Sequence, residues 1–331
     1  KTARSPALLR HVTEIVSLPD VTAPTLDAAL HGGVVSVGNF DGVHRGHASL
    51  LGQTKRLADQ FGGPTIACLF DPHPIAILRP ELAPKRLTSV RERARRMAKL
   101  GIDHLVVCQT TNGLMELSAE AFFDALVRDN LKCRGMVEGE NFCFGKDRRG
   151  DAILLRQLCD REDITFQIAE MESANGEMIS STRIRDLLAA GDVRDASRMM
   201  ATPHRISGVV VHGDGRGRTI GFPTANLEGI DVVLPAAGVY AGIATVGEDH
   251  KRSAVHIGQS PTFGSGTPTK VEVHLLDFDG DLYDQHLTLQ FVDRVRGIVR
   301  FESADALADQ LRKDLQSVQR VLEKHQQNNS S

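Results

Sequence analysis

The feature that most constrains this chain is a change of texture near residue 206. Before it, short β-branched runs alternate with longer helix-patterned stretches; after it, strands follow one another with no long helix between them. In the first half VVSVGNF (34–40), PTIACLF (64–70), DHLVVCQT (103–110) and RGMVEG (134–139) have strand character. HASLLGQTKRLADQFG (47–62), SVRERARRMAKLG (89–101) and SAEAFFDALVRDNL (118–131) have helix character. Strand–helix alternation with near-continuously apolar strands predicts a parallel, doubly wound sheet. SSTRIRDLLAAGDVRDASRMM (180–200) closes this half with one or two short helices, capped by Ser180, Ser181 or Thr182 and broken at Gly191. In the second half ISGVVVHG, GVYAGIATVG, SAVHIG, KVEVHLLDF and LTLQFVDRV are strands separated by Gly, Asp and Pro turns. They predict a small antiparallel barrel or sandwich. An amphipathic helix over 302–326 and a solvated tail, QQNNSS, follow. The expected domains are 1–200, α/β and Rossmann-like, and 201–331, mainly β with a terminal helix.

Bulk properties agree with two soluble domains. A length of 331 residues exceeds the roughly 100–200 residues of one domain. A net charge of −3 argues against broad nucleic-acid binding. The five cysteines (Cys68, Cys108, Cys133, Cys143, Cys159) are odd in number and form no C-x-x-C pair. They predict reduced thiols in a cytoplasmic protein. No run approaches the roughly 18 apolar residues of a membrane span. KTARSPALLR at the start is basic but lacks the apolar core of a signal peptide. Self-association into a homo-oligomer is left open.

Chemistry concentrates first in GNFDGVHRGH (38–47), at a strand end and helix start, where open α/β sheets bind ligands. Gly38, Gly42 and Gly46 let a phosphate approach the backbone, and the helix presents free amides and a positive dipole end. His44 and His47, three apart, can face one ligand and hold the charge that develops when pyrophosphate leaves a triphosphate. A metal reading of the pair lacks a third ligand. Late in this half, ISSTRIR (179–185) offers Ser181 and Thr182 at a helix start and Arg185 as a planar phosphate clamp.

A second set of polar residues lies in the β-rich half. HGDGRGRTIGFPTANL (212–227) places Gly213, Gly217 and Gly221 four apart, which in a loop describes an arch around a polyphosphate. PTAN follows, with Thr224 and Asn226 on one face of an extended segment, hard-oxygen ligands suited to Mg²⁺. On the strand KVEVHLLDF, Glu272 and His274 share the face opposite the valines. A carboxylate there can take the proton of an alcohol attacking phosphorus.

These motifs carry a family resemblance. HRGH with ISSTRIR resembles the H-x-G-H nucleotidyltransferase superfamily, and FDPHP (70–74), RLTS (86–89) and GENFCFGKDRRGD (139–151) narrow it. They resemble the adenylyltransferase half of the bacterial bifunctional riboflavin kinase/FAD synthetase. PTAN, PAAGVYAG (235–242), HIGQSPTFG (256–264), VEVHLLDFDGDLYD (271–284) and FVDRVRG (291–297) resemble its riboflavin kinase domain. The resemblance implies phosphorylation of riboflavin to FMN in the second domain and adenylylation of FMN to FAD, with loss of pyrophosphate, in the first. It implies ATP over Gly38, Asn39, Phe40, Asp41, Gly42, His44 and His47, and FMN nearer FDPHP, with Asp71 and Asn141 as contacts. Ser181, Thr182 and Arg185 complete that site. Thr224 and Asn226 would hold Mg·ATP, and Glu272 would be the base for the riboflavin 5′-hydroxyl. Phe142 and Phe144 are assigned to the core. Two residues depart from the family pattern: His256 stands where Asn is more frequent, and Asp284 where Gly is usual.

Overall fold

The computed structural model describes residues 11–170, 173–174, 177–213, 217, 221–259 and 269–330. The opening KTARSPALLR, positions 214–216 and 218–220 of the glycine-rich loop, and 260–264 of HIGQSPTFG lie outside them.

The chain forms two compact units. The first (Lys1–Pro84 and Ser89–Ile179) contains β1 (Glu14–Leu18), β2 (Val34–Val37), α1 (Arg45–Phe61), β3 (Thr65–Asp71), α2 (Pro74–Leu78) and α3 (Val90–Ala98). It continues with β4 (His104–Gln109), α4 (Asn112–Glu116), α5 (Ala119–Phe123), β5 (Gly135–Glu138), α6 (Ala152–Arg161) and β6 (Thr165–Ile168). A two-residue hairpin, β7 (Ser173–Ala174) and β8 (Glu177–Met178), ends it. The six-stranded sheet is ordered β1-β4-β3-β2-β5-β6 and every pairing is parallel. Successive β2 residues alternate between two apolar layers: Val35 and Val37 pack with Ile66, Cys68 and Val106, and Val34 packs with Ala67, Leu69 and Val137. Both faces are covered, which is why β2 reads as an unbroken apolar run. The edge strands β1 and β6 escape the sequence pattern because EIVSL and TFQI are largely solvent-exposed and never form such a run. From β2 the chain proceeds to β3 and β4 on one side and returns to β5 on the other. The order therefore reverses at β2, and the carboxyl end of β2 is the place where such a sheet receives a ligand.

The second unit (Lys85–Thr88 and Ser180–Ser331) contains α7 (Ser181–Ala190), α8 (Val193–Met199), β9 (Arg205–Val211), β10 (Ala225–Glu228), β11 (Gly238–Val246), β12 (Asp249–Gln259), β13 (Thr269–Leu275), β14 (His286–Arg296) and α9 (Ala304–Ser330). The strands close into an antiparallel barrel ordered β10-β13-β12-β11-β14-β9. Its interior is filled by Tyr240, Phe291, Val255, Val271, Val273, Leu287 and Leu289. Ser180 caps α7 by accepting the Arg183 amide at 3.3 Å, and Gly191 ends it in the left-handed conformation at φ 87°. The sequence suggests that 180–200 closes the first domain, but these helices pack with the second unit. The reason is apolar: Ile184, Leu188, Val193, Ala196 and Met200 share one cluster with the barrel interior. α9 lays Val318 and Leu322 against Ala241 and Leu276 and is held by Arg296, whose Nη2 lies 2.8 Å from the buried Asp314. It extends through the polar tail to Ser330, four residues beyond the pattern that predicts it. No helix among the described residues is long and apolar enough to cross a membrane.

Candidate functional site

The loop 38–47 sits at the carboxyl end of β2, where the sheet order reverses. Gly38 extends the pairing, donating to the Cys68 carbonyl at 2.9 Å. The backbone then turns through left-handed geometry at Phe40 (φ 49°), Gly42 (φ 86°) and Val43 (φ 43°). Glycine tolerates this, but a phenylalanine and above all a β-branched valine do not, and each non-glycine residue there stores on the order of 1–3 kcal/mol. Packing holds the strain, since Phe40 and Val43 are 1% and 3% exposed.

Two arginines of α3 hold the loop from behind. Arg93 pairs with buried Asp41 at 3.0 Å and donates to the Asn39 carbonyl at 2.9 Å. Arg96 donates to the Gly42 carbonyl at 2.8 Å and pairs with Glu92 at 2.8 Å. Arg95 and Arg96 together hold the Glu92 carboxyl down at about 2 despite its burial. The sequence marked SVRERARRMA only as a helix. Its signal was arginines three apart on one face beside an acidic residue, a pattern that ordinarily means a solvated surface.

His44 is the N-cap of α1, its Nδ1 accepting the His47 amide at 3.3 Å. That places the ring proton on Nε2 and uses one of the helix-start amides that the sequence argument counted as free. The His44 and His47 rings stack at 3.6 Å and 15°, and Phe40 meets His47 edge-on at 5.4 Å. Burial, opposed by the Asp41 charge, holds His44 down to about 4. Burial, with His44 and Arg93 adding to it, holds His47 well below the ordinary imidazole range. At neutral pH both rings are therefore neutral, and each carries an N–H donor rather than a positive charge. His47 Nδ1 and Asn39 Oδ1 are buried with no hydrogen-bond partner. Two orphaned polar atoms on one strained loop mark a place prepared for a polar ligand.

Glu138, at the end of β5, is a further residue that sequence reasoning missed. It is 1% exposed, and its Oε1 accepts the Val37 amide at 2.5 Å. Burial raises its carboxyl well above the usual carboxylate range, against the Val37 amide, whose hydrogen bond lowers it. Backbone pairing of β2 with β5 covers only Val34–Gly135 and Val35–Met136; beyond it the Glu138 side chain takes over. Asp71 ends β3, and its carbonyl accepts the Thr110 amide at 3.1 Å. Asn141 is exposed on a turn closed by Phe142 N–H to Gly139 at 3.0 Å. Phe142 stacks on Phe144 at 5.5 Å, and both belong to the core. Ser181, Thr182 and Arg185 lie in the first turns of α7 and belong to the second unit. Arg185 Nε donates to the Lys85 carbonyl at 2.8 Å.

In the barrel, register does what spacing could only suggest. Asn226 lies opposite Glu272, and Glu272 opposite His256, so three strands present one polar row. The alternation of β13 turns Val271, Val273 and Leu275 inward and leaves Glu272 and His274 on the outer face, each partly exposed. His274 Nδ1 donates to the Pro223 carbonyl at 2.7 Å and so ties PTAN to β13. Thr224 is exposed just ahead of β10. A Cβ at Gly213 would collide with the Asn226 carboxamide, and one at Gly217 with the Phe222 carbonyl near Thr224. Gly221 turns at φ 83°. The glycines thus close directly on the two PTAN side chains. Asp284 adopts φ 62°, which explains why glycine suits that position.

All five cysteines carry free thiols. Among the described residues no group of three or more His, Cys, Asp or Glu could hold a metal.

Comparison with known proteins covers both units. A family model described as FAD synthetase matches residues 26–183, and one described as riboflavin kinase matches 200–322. A bifunctional riboflavin kinase/FMN adenylyltransferase of Pseudomonas fluorescens is 36% identical over 284 residues, covering 86% of this chain and 91% of that protein. Its namesake in Bacillus subtilis is 33% identical over 288 residues, covering 86% and 90%. A crystal structure from Streptococcus pneumoniae, described as a macrolide-efflux protein, superposes with TM-score 0.84 at 29% identity, covering 92% of this chain and 99% of that one. With two catalytic domain families matched in order and relatives matched over nearly their whole length, the chain belongs to the family of bifunctional riboflavin kinase/FMN adenylyltransferases.

Proposed function

We propose that the two activities divide between the polar row of the barrel and the loop at the end of β2. The sequence division that goes with this is 1–200 and 201–331; the family matches end at 183 and begin at 200, and α7 and α8 between them pack with the barrel. The observation that carries the assignment furthest is the register pairing of Asn226 with Glu272, which sets a phosphate-side carboxamide beside a carboxylate.

In the barrel, Glu272 accepts the proton of the riboflavin 5′-hydroxyl as its oxygen attacks the γ-phosphorus of ATP. Thr224 and Asn226 would hold the nucleotide phosphates and, with them, Mg²⁺. Their hydroxyl and carboxamide oxygens, closed in by Gly213 and Gly217, are hard donors that suit Mg²⁺. When bound, the cation would neutralise phosphate charge; the chain supplies position and the base. Gly221 belongs to the same arch.

In the first domain, the FMN phosphate attacks the α-phosphorus of a second ATP and pyrophosphate leaves. No protein nucleophile is needed. The chain contributes orientation and charge stabilisation: His44 through Nε2–H, His47, and the amides of Gly38, Asn39, Phe40, Asp41 and Gly42. Asp71 and Asn141 are the proposed FMN contacts. Ser181, Thr182 and Arg185 are proposed phosphate contacts on family resemblance. Free cysteines throughout support a reducing, cytoplasmic setting.

The test is two variants. His47→Ala is expected to abolish FAD formation and spare FMN formation, and Glu272→Gln to do the reverse when FMN is supplied. Loss of both activities in either folded variant would refute the two-site division.

A further inference from the structure

The polar row of the barrel contains one residue that the proposed chemistry does not use. His256 lies on β12 directly opposite Glu272, and its Nδ1 is 3.1 Å from Glu272 Oε2. Both side chains are partly exposed, at 42% and 35%, on the face that also carries Asn226, Lys270 and His274. A carboxylate can only accept, so the Nδ1 of this histidine carries the proton and donates it. The neighbouring backbone makes room for this pose. A Cβ at Gly258 would fall 2.8 Å from His256 Cε1, so the imidazole lies over a position that only glycine leaves open.

We infer that His256 is a positioning residue for Glu272 in riboflavin phosphorylation. The inference rests on Glu272 being the base. With Oε2 engaged by the imidazole, the carboxylate is held in one rotamer and Oε1 is the oxygen that receives the proton. In that step the O–H proton of the 5′-hydroxyl passes to Oε1 and the hydroxyl oxygen bonds to the γ-phosphorus. The bond from the γ-phosphorus to the bridging oxygen of ADP breaks, and ADP leaves. His256 touches neither reacting atom. A freely rotating carboxylate would spend much of its time away from the alcohol, and proton transfer is sensitive to such misplacement. A side-chain amide at 256 can also donate an N–H to Oε2, which an alkyl group cannot.

The full chain is assayed for FMN formation from riboflavin and Mg·ATP as wild type, His256→Val, His256→Asn, Glu272→Gln and the His256→Val/Glu272→Gln pair. Valine keeps strand propensity, and far-UV circular dichroism with the thermal midpoint checks each variant's fold. For His256→Val we expect kcat to fall roughly tenfold with the KM values for riboflavin and ATP within about twofold, the signature of lost orientation rather than lost binding. His256→Asn should recover most of the loss, and the double variant should be no slower than Glu272→Gln alone. Unchanged kcat in His256→Val, a raised riboflavin KM as its main effect, no rescue by asparagine, or additivity in the double variant would each overturn the positioning role. Full activity in Glu272→Gln would overturn the base assignment and this inference with it, so the two failures are distinguishable.

Discussion

Replacing Arg93 by methionine would test whether the loop after β2 is held in shape from behind. The Arg93 and Asp41 side chains are 7% and 6% exposed and lie 3.0 Å apart. The same guanidinium also donates to the Asn39 carbonyl at 2.9 Å. Methionine fills much of the arginine stem but donates nothing, so Asp41 loses this partner while still buried. Removing one side of a buried ion pair costs roughly 3–5 kcal/mol, and the lost bond to the Asn39 carbonyl adds about 1 kcal/mol. The strain at Phe40 and Val43 pulls the same way once the clamp is gone. Because the chain has two units, a single unfolding transition would mix them. Amide hydrogen exchange in β2 and α1 reads the first unit directly, and protection there should fall by an amount equivalent to roughly 4–6 kcal/mol. FAD formation from FMN and ATP should fall with it, while FMN formation by the barrel persists. Adding Asp41→Asn removes the buried charge that has lost its Arg93 partner and should recover part of the stability. If Arg93→Met keeps exchange within about 1 kcal/mol of wild type and makes FAD at the wild-type rate, the clamp argument is wrong.

Other consequences follow from the same physics. Asp284→Gly relieves left-handed geometry at φ 62° on an exposed turn and should stabilise the barrel by roughly 0.5–1 kcal/mol; a lowered thermal midpoint would contradict this. Glu138 carries a folded-state pKa raised by burial. Its contribution is complete below the ordinary carboxyl value and is lost as pH rises towards the folded value, because the unfolded chain ionises first. Glu138→Gln keeps an acceptor for the Val37 amide and cannot ionise, so its urea midpoint relative to wild type should rise between pH 5 and pH 8. A difference that does not change with pH would count against a Glu138 carboxyl raised by burial.

Much of this protein was legible in the residues themselves. Unbroken apolar strands in one half and alternating strands in the other separate a covered parallel sheet from a barrel, because a strand's pattern reports how many of its faces are buried. HRGH and PTAN were legible because phosphate chemistry needs particular residue types close together in sequence. What the sequence left undecided depends on contacts between distant positions. Arg93 and Arg96 look like solvated helix charges until α3 packs behind the loop, and Glu138 looks like a strand end until the packed sheet buries it against the Val37 amide. The apolar stripe of α7 and α8 assigns itself to the barrel only when the barrel exists to receive it. His44 and His47 are present in the sequence, but tertiary burial makes them neutral donors and sets the ring proton of His44 on Nε2. The row Asn226–Glu272–His256 joins three segments that only strand register brings side by side, since a shift of one residue would turn each of them into the barrel interior.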